Sequence, residues 1–235
     1  MRAGMKRIGM IGGLGPESTV DYYKRMLAAH RERRPGEGAP SIVINSVDLD
    51  KLRELVTANE LSRLTEYLRA EVGRLERAGA EIGFLSANTA HIVYDEVAAG
   101  SAIPLVSIVE ATCARAKGLG LRKIGLFGTR FTMQGQFYFR PFVRSGVTVV
   151  VPSAAEQEYI HEKYMNELVE GKFLPETREG LLAIAARLRD EAGIQALILG
   201  GTELPLILTD SKALGIPFLD TTQIHVEAVL ERALD

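Results

Sequence analysis

An internal disulfide needs two cysteines, and this chain has one, Cys113. A disulfide framework is therefore excluded, which suits a reducing compartment and leads us to expect a cytoplasmic protein. Long hydrophobic runs are also missing. No apolar stretch approaches the ~20 residues of a membrane helix, so no membrane partner is expected. The N-terminal MRAGMKRIGMIGG sets charge before an apolar run, as a secretory leader does. That run is short and passes directly into a glycine turn, which reads as a first strand. An excess of charge is absent too: 28 Lys and Arg stand against 30 Asp and Glu, and the net charge is −2. With no basic face in view, nucleic acid is not an expected partner. The basic stretch RERRPGE, Arg31 to Glu37, reads as a solvated helix end and loop. No linker or low-complexity segment divides the chain. What remains is 235 residues of ordinary apolar and charged content, enough to bury the core of one or two domains.

Short apolar runs alternate with longer helical patterns. The strand candidates are Arg7 to Ile11, Ser41 to Ser46, Ile82 to Leu85, Leu105 to Ile108, Lys123 to Phe127, Thr148 to Val151, Ala196 to Leu199 and Phe218 to Leu219. Helical stretches such as Pro16 to Arg31, Leu49 to Val56, Leu61 to Ala78 and Pro175 to Ala192 lie between them. This alternation predicts an α/β protein with mainly parallel sheets flanked by helices. The strands are apolar on both faces, as buried parallel strands are. A repeat is also present. RIGMIGGLGPESTVDYY from Arg7 resembles KIGLFGTRFTMQGQFYF from Lys123, and SANTA after Leu85 resembles GGTEL after Leu199. The chain thus reads as two pseudo-symmetric α/β domains, 1–109 plus 212–235 and 110–211. Such halves would present their strand C-termini to a ligand cleft between them.

Four turns could line that cleft. In GGLGPEST, Gly12 to Thr19, glycine permits close backbone approach, and a helix start at Pro16 offers N–H groups to a carboxylate or phosphate. Gly13 is the expected contact. The stretch imitates a dinucleotide fingerprint, but Ser18 stands in the third glycine's place, so NAD or FAD is not expected. In the second turn, Ser86-Ala87-Asn88-Thr89, Asn88 and Thr89 are neutral donors and acceptors for a carboxylate or ammonium group. They serve equally as helix caps. His91, just beyond, reads as a structural histidine before a catalytic one. The third turn, GTRFTMQG, supplies Thr129, Arg130 and Thr132. Arg130 could hold an anion or a surface ion pair. In the fourth, GGTELP, Thr202 is polar and Glu203 is either a binding and proton-transfer group or an early-helix acid.

Taken in order, six pieces resemble the aspartate/glutamate racemase family, nearest its aspartate racemase and broad amino-acid racemase branch. They are IGMIGGLGPEST followed by YY, NTAHIVYDE, IVEAT, LFGTRFTM, GGTELPL and FLDTTQIH, and they span nearly the whole chain. The resemblance implies two pseudo-symmetric α/β domains with an amino acid or small carboxylate between them, and a last helix, Thr222 to Leu234, returning to the first domain. It implies no cofactor, no metal and a homodimer. It also implies proton removal and return at Cα by two cysteines, one just before the NT of the second turn and one just before the TE of the fourth. Those positions here hold Ala87 and Gly201, and neither carries a proton. Cys113 lies elsewhere, in a helix whose pattern turns it into packing. The replacement candidates are Glu203, Ser86 and Lys163, the last as an amine whose pKa desolvation would lower, or else as half of a solvent-facing pair with Glu167. His91 and His161 are outside candidates. The family's racemase activity is one expectation; an inactive small-molecule-binding homologue is the alternative.

Overall fold

The computed structural model describes residues 5–210 and 214–235. They form two four-stranded parallel sheets flanked by helices. The first contains β1 (Ile8–Gly12), β2 (Ile42–Ser46), β3 (Ile82–Leu85) and β4 (Leu105–Val106), in the order β2-β1-β3-β4. The second contains β5 (Lys123–Gly128), β6 (Thr148–Val150), β7 (Ala196–Gly200) and β8 (Phe218–Asp220), in the order β6-β5-β7-β8. Each sheet therefore runs second, first, third, fourth, which is the repeat visible in the sequence. The inner strands β1, β3 and β7 are buried along their whole length, because helices cover both faces of a parallel sheet. The expected fourth strand ends early, at Val106, because Ile108 already opens a helix.

The helices are α1 (Pro16–Arg33), α2 (Leu49–Thr57), α3 (Leu61–Arg77), α4 (Tyr94–Ala99), α5 (Ile108–Gly118), α6 (Arg130–Gln134), α7 (Gln136–Arg144), α8 (Ala154–Lys163), α9 (Pro175–Ala192), α10 (Leu204–Ile207) and α11 (Thr221–Leu234). Pro16 stands at the start of α1, where its missing N–H costs no hydrogen bond. Beyond α8 the chain does not stop but continues as a π-helical turn, Tyr164–Leu168.

The chain divides into two compact units, Met1–Ile108 with Thr222–Asp235, and Val109–Thr221. The first unit's core joins Ile8, Met10, Ile82 and Phe84 of the sheet to Tyr22 and Met26 of α1 and to Val226, Val229 and Leu230 of α11. Burying each of those three α11 side chains is worth about 1.5–3 kcal/mol, so α11 is integral to this core. The expected boundary at 211/212 lies outside the described residues. Its consequence for β8 needs correction: Phe218–Asp220 belongs to the second unit, as a parallel neighbour of β7 with Leu197 opposite Phe218. Three residues of edge strand carry too little pattern to assign to one sheet or the other.

Candidate functional site

In the first unit, the turn after β1 is folded upon itself. The Gly13 N–H donates to Thr19 Oγ1 at 2.9 Å, and the Thr19 hydroxyl donates to the Gly15 carbonyl at 3.0 Å. Gly13 has φ +77, and a Cβ there would come within 2.6 Å of the Val47 nitrogen. Glycine is thus required by the backbone of the next connection, whatever the turn binds. Ser86 is fully buried, and its hydroxyl donates to the Ile11 carbonyl at 2.8 Å. That engagement ties β3 to β1 and commits the Ser86 hydroxyl proton to a backbone carbonyl.

Ala87, Asn88 and Thr89 follow at the carboxyl end of β3. Asn88 is buried and precedes a 3-10 turn, Thr89–Val93, but its side chain does not cap it. The order of this turn comes from His91 instead. The Ile108 N–H donates to His91 Nε2 at 3.1 Å, which leaves the ring proton on Nδ1 to donate to the Ala87 carbonyl at 2.9 Å. Burial lowers the His91 pKa to about 4. With both nitrogens engaged and the ring neutral, His91 is a structural brace between β3 and the start of α5. A second histidine, His225 on α11, was not singled out in the sequence. It accepts the Tyr22 hydroxyl on Nδ1 at 2.9 Å and donates from Nε2 to the Val106 carbonyl at 3.0 Å. Burial, and next the proximity of His91, lower its pKa to about 3.

In the second unit, Thr129 caps α6 by accepting the Thr132 N–H, and the two buried hydroxyls lie 3.2 Å apart. Arg130 is half-buried and pairs with Glu158 at 3.1 Å, so its guanidinium makes the surface ion pair. His161 Nδ1 accepts the Arg130 N–H at 3.3 Å, and burial followed by the Arg130 charge lowers its pKa. Of the two expectations for Lys163, the ion pair with Glu167 is the one observed. Its ammonium pairs with Glu167, whose carboxylate also takes the Thr177 hydroxyl, and hydrogen bonding to Glu167 raises the Lys163 pKa. A desolvated amine with lowered pKa is not what stands there, because the i, i+4 partner keeps the charge in place.

The turn after β7 differs from the others. Glu203 is 2% exposed, and its Oε2 accepts the Thr202 hydroxyl at 2.9 Å and the Tyr164 hydroxyl as well. The acid does not face solvent from a helix start. It is enclosed by two hydroxyls, and Tyr164 comes from the π turn. A Cβ on Gly201 would lie 2.9 Å from Tyr164 Cζ and 3.0 Å from its Oη. The Tyr164 ring therefore fills the side-chain space of residue 201. Burial, then the Glu203 charge, push the Tyr164 pKa well above the usual phenol value, so it remains a donor. Sequence reasoning missed Tyr164: the spacing of Ile160, Tyr164 and Leu168 places it on the buried face of a helix but does not point to Glu203.

Cys113 lies on α5, 3% exposed, with its thiol directed to the Pro141 carbonyl at 3.4 Å and to Ser145 Oγ at 3.2 Å. Burial raises its pKa. It belongs to the α5–α7 packing and to none of the turns. Cys113→Ser should lower the melting temperature by about 4 °C at most in a thermal melt. A much larger loss would give the thiol a weight in the α5–α7 packing that its two contacts do not suggest. Among the described residues, no group of three or more His, Cys, Asp or Glu side chains is placed to hold a metal ion. Among them too, no helix is long and apolar enough to cross a membrane.

Residues 11–229 match the model of the Asp/Glu/hydantoin racemase family. The chain belongs to that family. A Bacillus subtilis protein, the broad specificity amino-acid racemase RacX, is 24% identical over 92% of this chain and 92% of its own. Among solved structures, an Asp/Glu racemase candidate from Yersinia pestis superposes with a TM-score of 0.89 and 31% identity, over 98% of this chain and 100% of that one. An aspartate racemase homologue from Pyrococcus horikoshii OT3 gives 0.84 and 34% over the same shares. The two-sheet architecture is thus that of this racemase family, and the family ties the chain to chemistry on small amino acids.

Proposed function

We propose that this racemase-family chain is a cofactor-independent enzyme that moves a proton at Cα of a small amino acid of the aspartate/glutamate class. The observation that carries the reading is the enclosed Glu203 carboxylate at the carboxyl end of β7, supported by two hydroxyl donors. Ligands of open α/β sheets bind outside the carboxyl ends of the strands. Thr129 and Thr132 follow β5, and Asn88 and Thr89 follow β3, so each unit offers neutral polar groups at such an end. In this reading the ligand is bound through these turns. The finer expectations of a homodimer and of a cytoplasmic location belong to the same reading.

The proton transfer is simple to balance. The Cα–H bond breaks, and its electron pair moves into the adjoining carboxyl group. The proton forms an O–H bond on the Glu203 carboxylate, and the reverse step returns a proton to Cα. A positioned general base contributes about 10²–10⁴-fold to such a step.

The test is loss of the Hα signal in heavy water. Aspartate, glutamate and a panel of other small amino acids should be incubated with the protein and followed by proton NMR, with chiral chromatography alongside. At least one should exchange Hα well above its rate without protein. Binding of these amino acids with no exchange would refute the reading and leave a small-molecule-binding homologue.

A further inference from the structure

Glu203 is enclosed with Tyr164 and Thr202, and Gly201 adjoins Tyr164. The π turn that delivers the phenol explains this arrangement. A π-helical segment widens the turn and re-aims the residues at its start, and such segments recur at functional sites. This one, Tyr164–Leu168, is fastened from both sides. Lys163 holds Glu167, and Glu167 holds the buried Thr177 hydroxyl at the start of α9. The segment thus directs the Tyr164 ring against Gly201, where any larger residue would exclude it.

We infer that Tyr164 is a positioning residue that keeps Glu203 ionised and aimed as the general base, with Gly201 small so that the phenol can reach it. The inference rests on the proposed proton transfer and deepens it. A hydrogen bond donated to a carboxylate favours its ionised form. The Tyr164 phenol stays protonated throughout the working pH range, so it donates continuously. Tyr164 is a titratable side chain in direct contact with Glu203. On the elements beside it, Lys163 is neutralised by Glu167, Arg130 by Glu158, and His161 accepts a backbone N–H.

The experiment measures Hα exchange of aspartate and glutamate against pH for the native protein, Tyr164→Phe and Glu203→Gln. Phenylalanine keeps the ring against Gly201 and removes only the hydroxyl. Glu203→Gln should lose about 100-fold or more of the exchange rate. Tyr164→Phe should move the acid limb of the rate profile to higher pH by about one unit or more, since the ionised form loses a donor, while probe affinity holds within a few-fold. A Tyr164→Phe profile that superposes on the native one would overturn the inference and leave the proposed activity standing, whereas a Glu203→Gln variant that exchanges normally would overturn both the inference and the assignment of Glu203 as the base. A native protein without exchange would remove both. A second readout uses no turnover. Infrared difference titration of native protein against Glu203→Gln isolates that carboxyl, and its ionisation midpoint should rise in Tyr164→Phe. An unchanged midpoint counts against the inference even if the variant is inactive.

Discussion

Acidification from pH 7 to pH 4 is expected to remove several kcal/mol of stability from the first unit. His91 and His225 are held neutral there, with pKa values lowered to about 4 and about 3. Their unfolded counterparts take up protons near pH 6.5. Below that pH the unfolded chain binds protons that the native chain refuses, so stability falls progressively to about pH 4 for His91 and about pH 3 for His225. Above pH 6.5 the contribution is constant. At 1.36 kcal/mol per unit, His91 alone accounts for about 3 kcal/mol across its window. The two effects are not independent, since the His91 ring, at a centroid distance of 6.2 Å, contributes to lowering the His225 pKa. Urea midpoints at pH 7 and pH 4.5 measure the loss. His225→Gln should be less stable at pH 7, because it disturbs the Tyr22 and Val106 partners, yet should lose less on acidification. An acid loss as steep in His225→Gln as in the native protein would show that its titration is not the source.

Gly201→Cys is the second substitution expected to have a large effect, and the sign is unfavourable. The new Cβ would fall against the Tyr164 ring, at 2.9 Å from Cζ. Overpacking of a buried site costs about 1–3 kcal/mol. Tyr164→Ala alone should cost about 3–5 kcal/mol through the cavity it leaves. Combined, the two should cost less than their sum by at least about 1 kcal/mol, since the smaller residue 164 leaves room for the new side chain. Denaturant melts of the four proteins of this cycle give the coupling directly. Strict additivity would mean that Tyr164 does not occupy the space of residue 201. Placing cysteines at both Ala87 and Gly201 would for this reason take more than two substitutions, because residue 164 has to change with them.

The paired sheets were legible because a strand buried on both faces must be a continuous apolar run, and because the glycine and threonine turns repeat between the halves. The polar turns at the ends of β3, β5 and β7 were legible for the same reason: Asn88, Thr129 and Glu203 interrupt apolar strands abruptly. The partners of those side chains were not. A neutral His91 bridging Ala87 and Ile108 depends on where α5 begins, and no local pattern encodes that. Lys163 has the same i, i+4 spacing to Glu167 on paper whether the pair is solvated or braces a π turn. Tyr164 was hidden because the apolar period around Ile160 and Leu168 is that of an ordinary helix. The insertion that re-aims it is a matter of tertiary fit. His225 sat inside FLDTTQIH, yet its partners Tyr22 and Val106 are distant along the chain.

The packing of α11 on the first sheet also sets an order of events during synthesis. Val226, Val229 and Leu230 complete a core whose other members, from Ile8 to Phe84, leave the ribosome far earlier. Nascent domains ordinarily fold from the N-terminus onward. Here the second unit, Val109–Thr221, is contiguous and can close while the first still exposes an apolar sheet face. The segment made first is thus finished last. Its open face during that interval is the natural place for a chaperone to hold the growing chain.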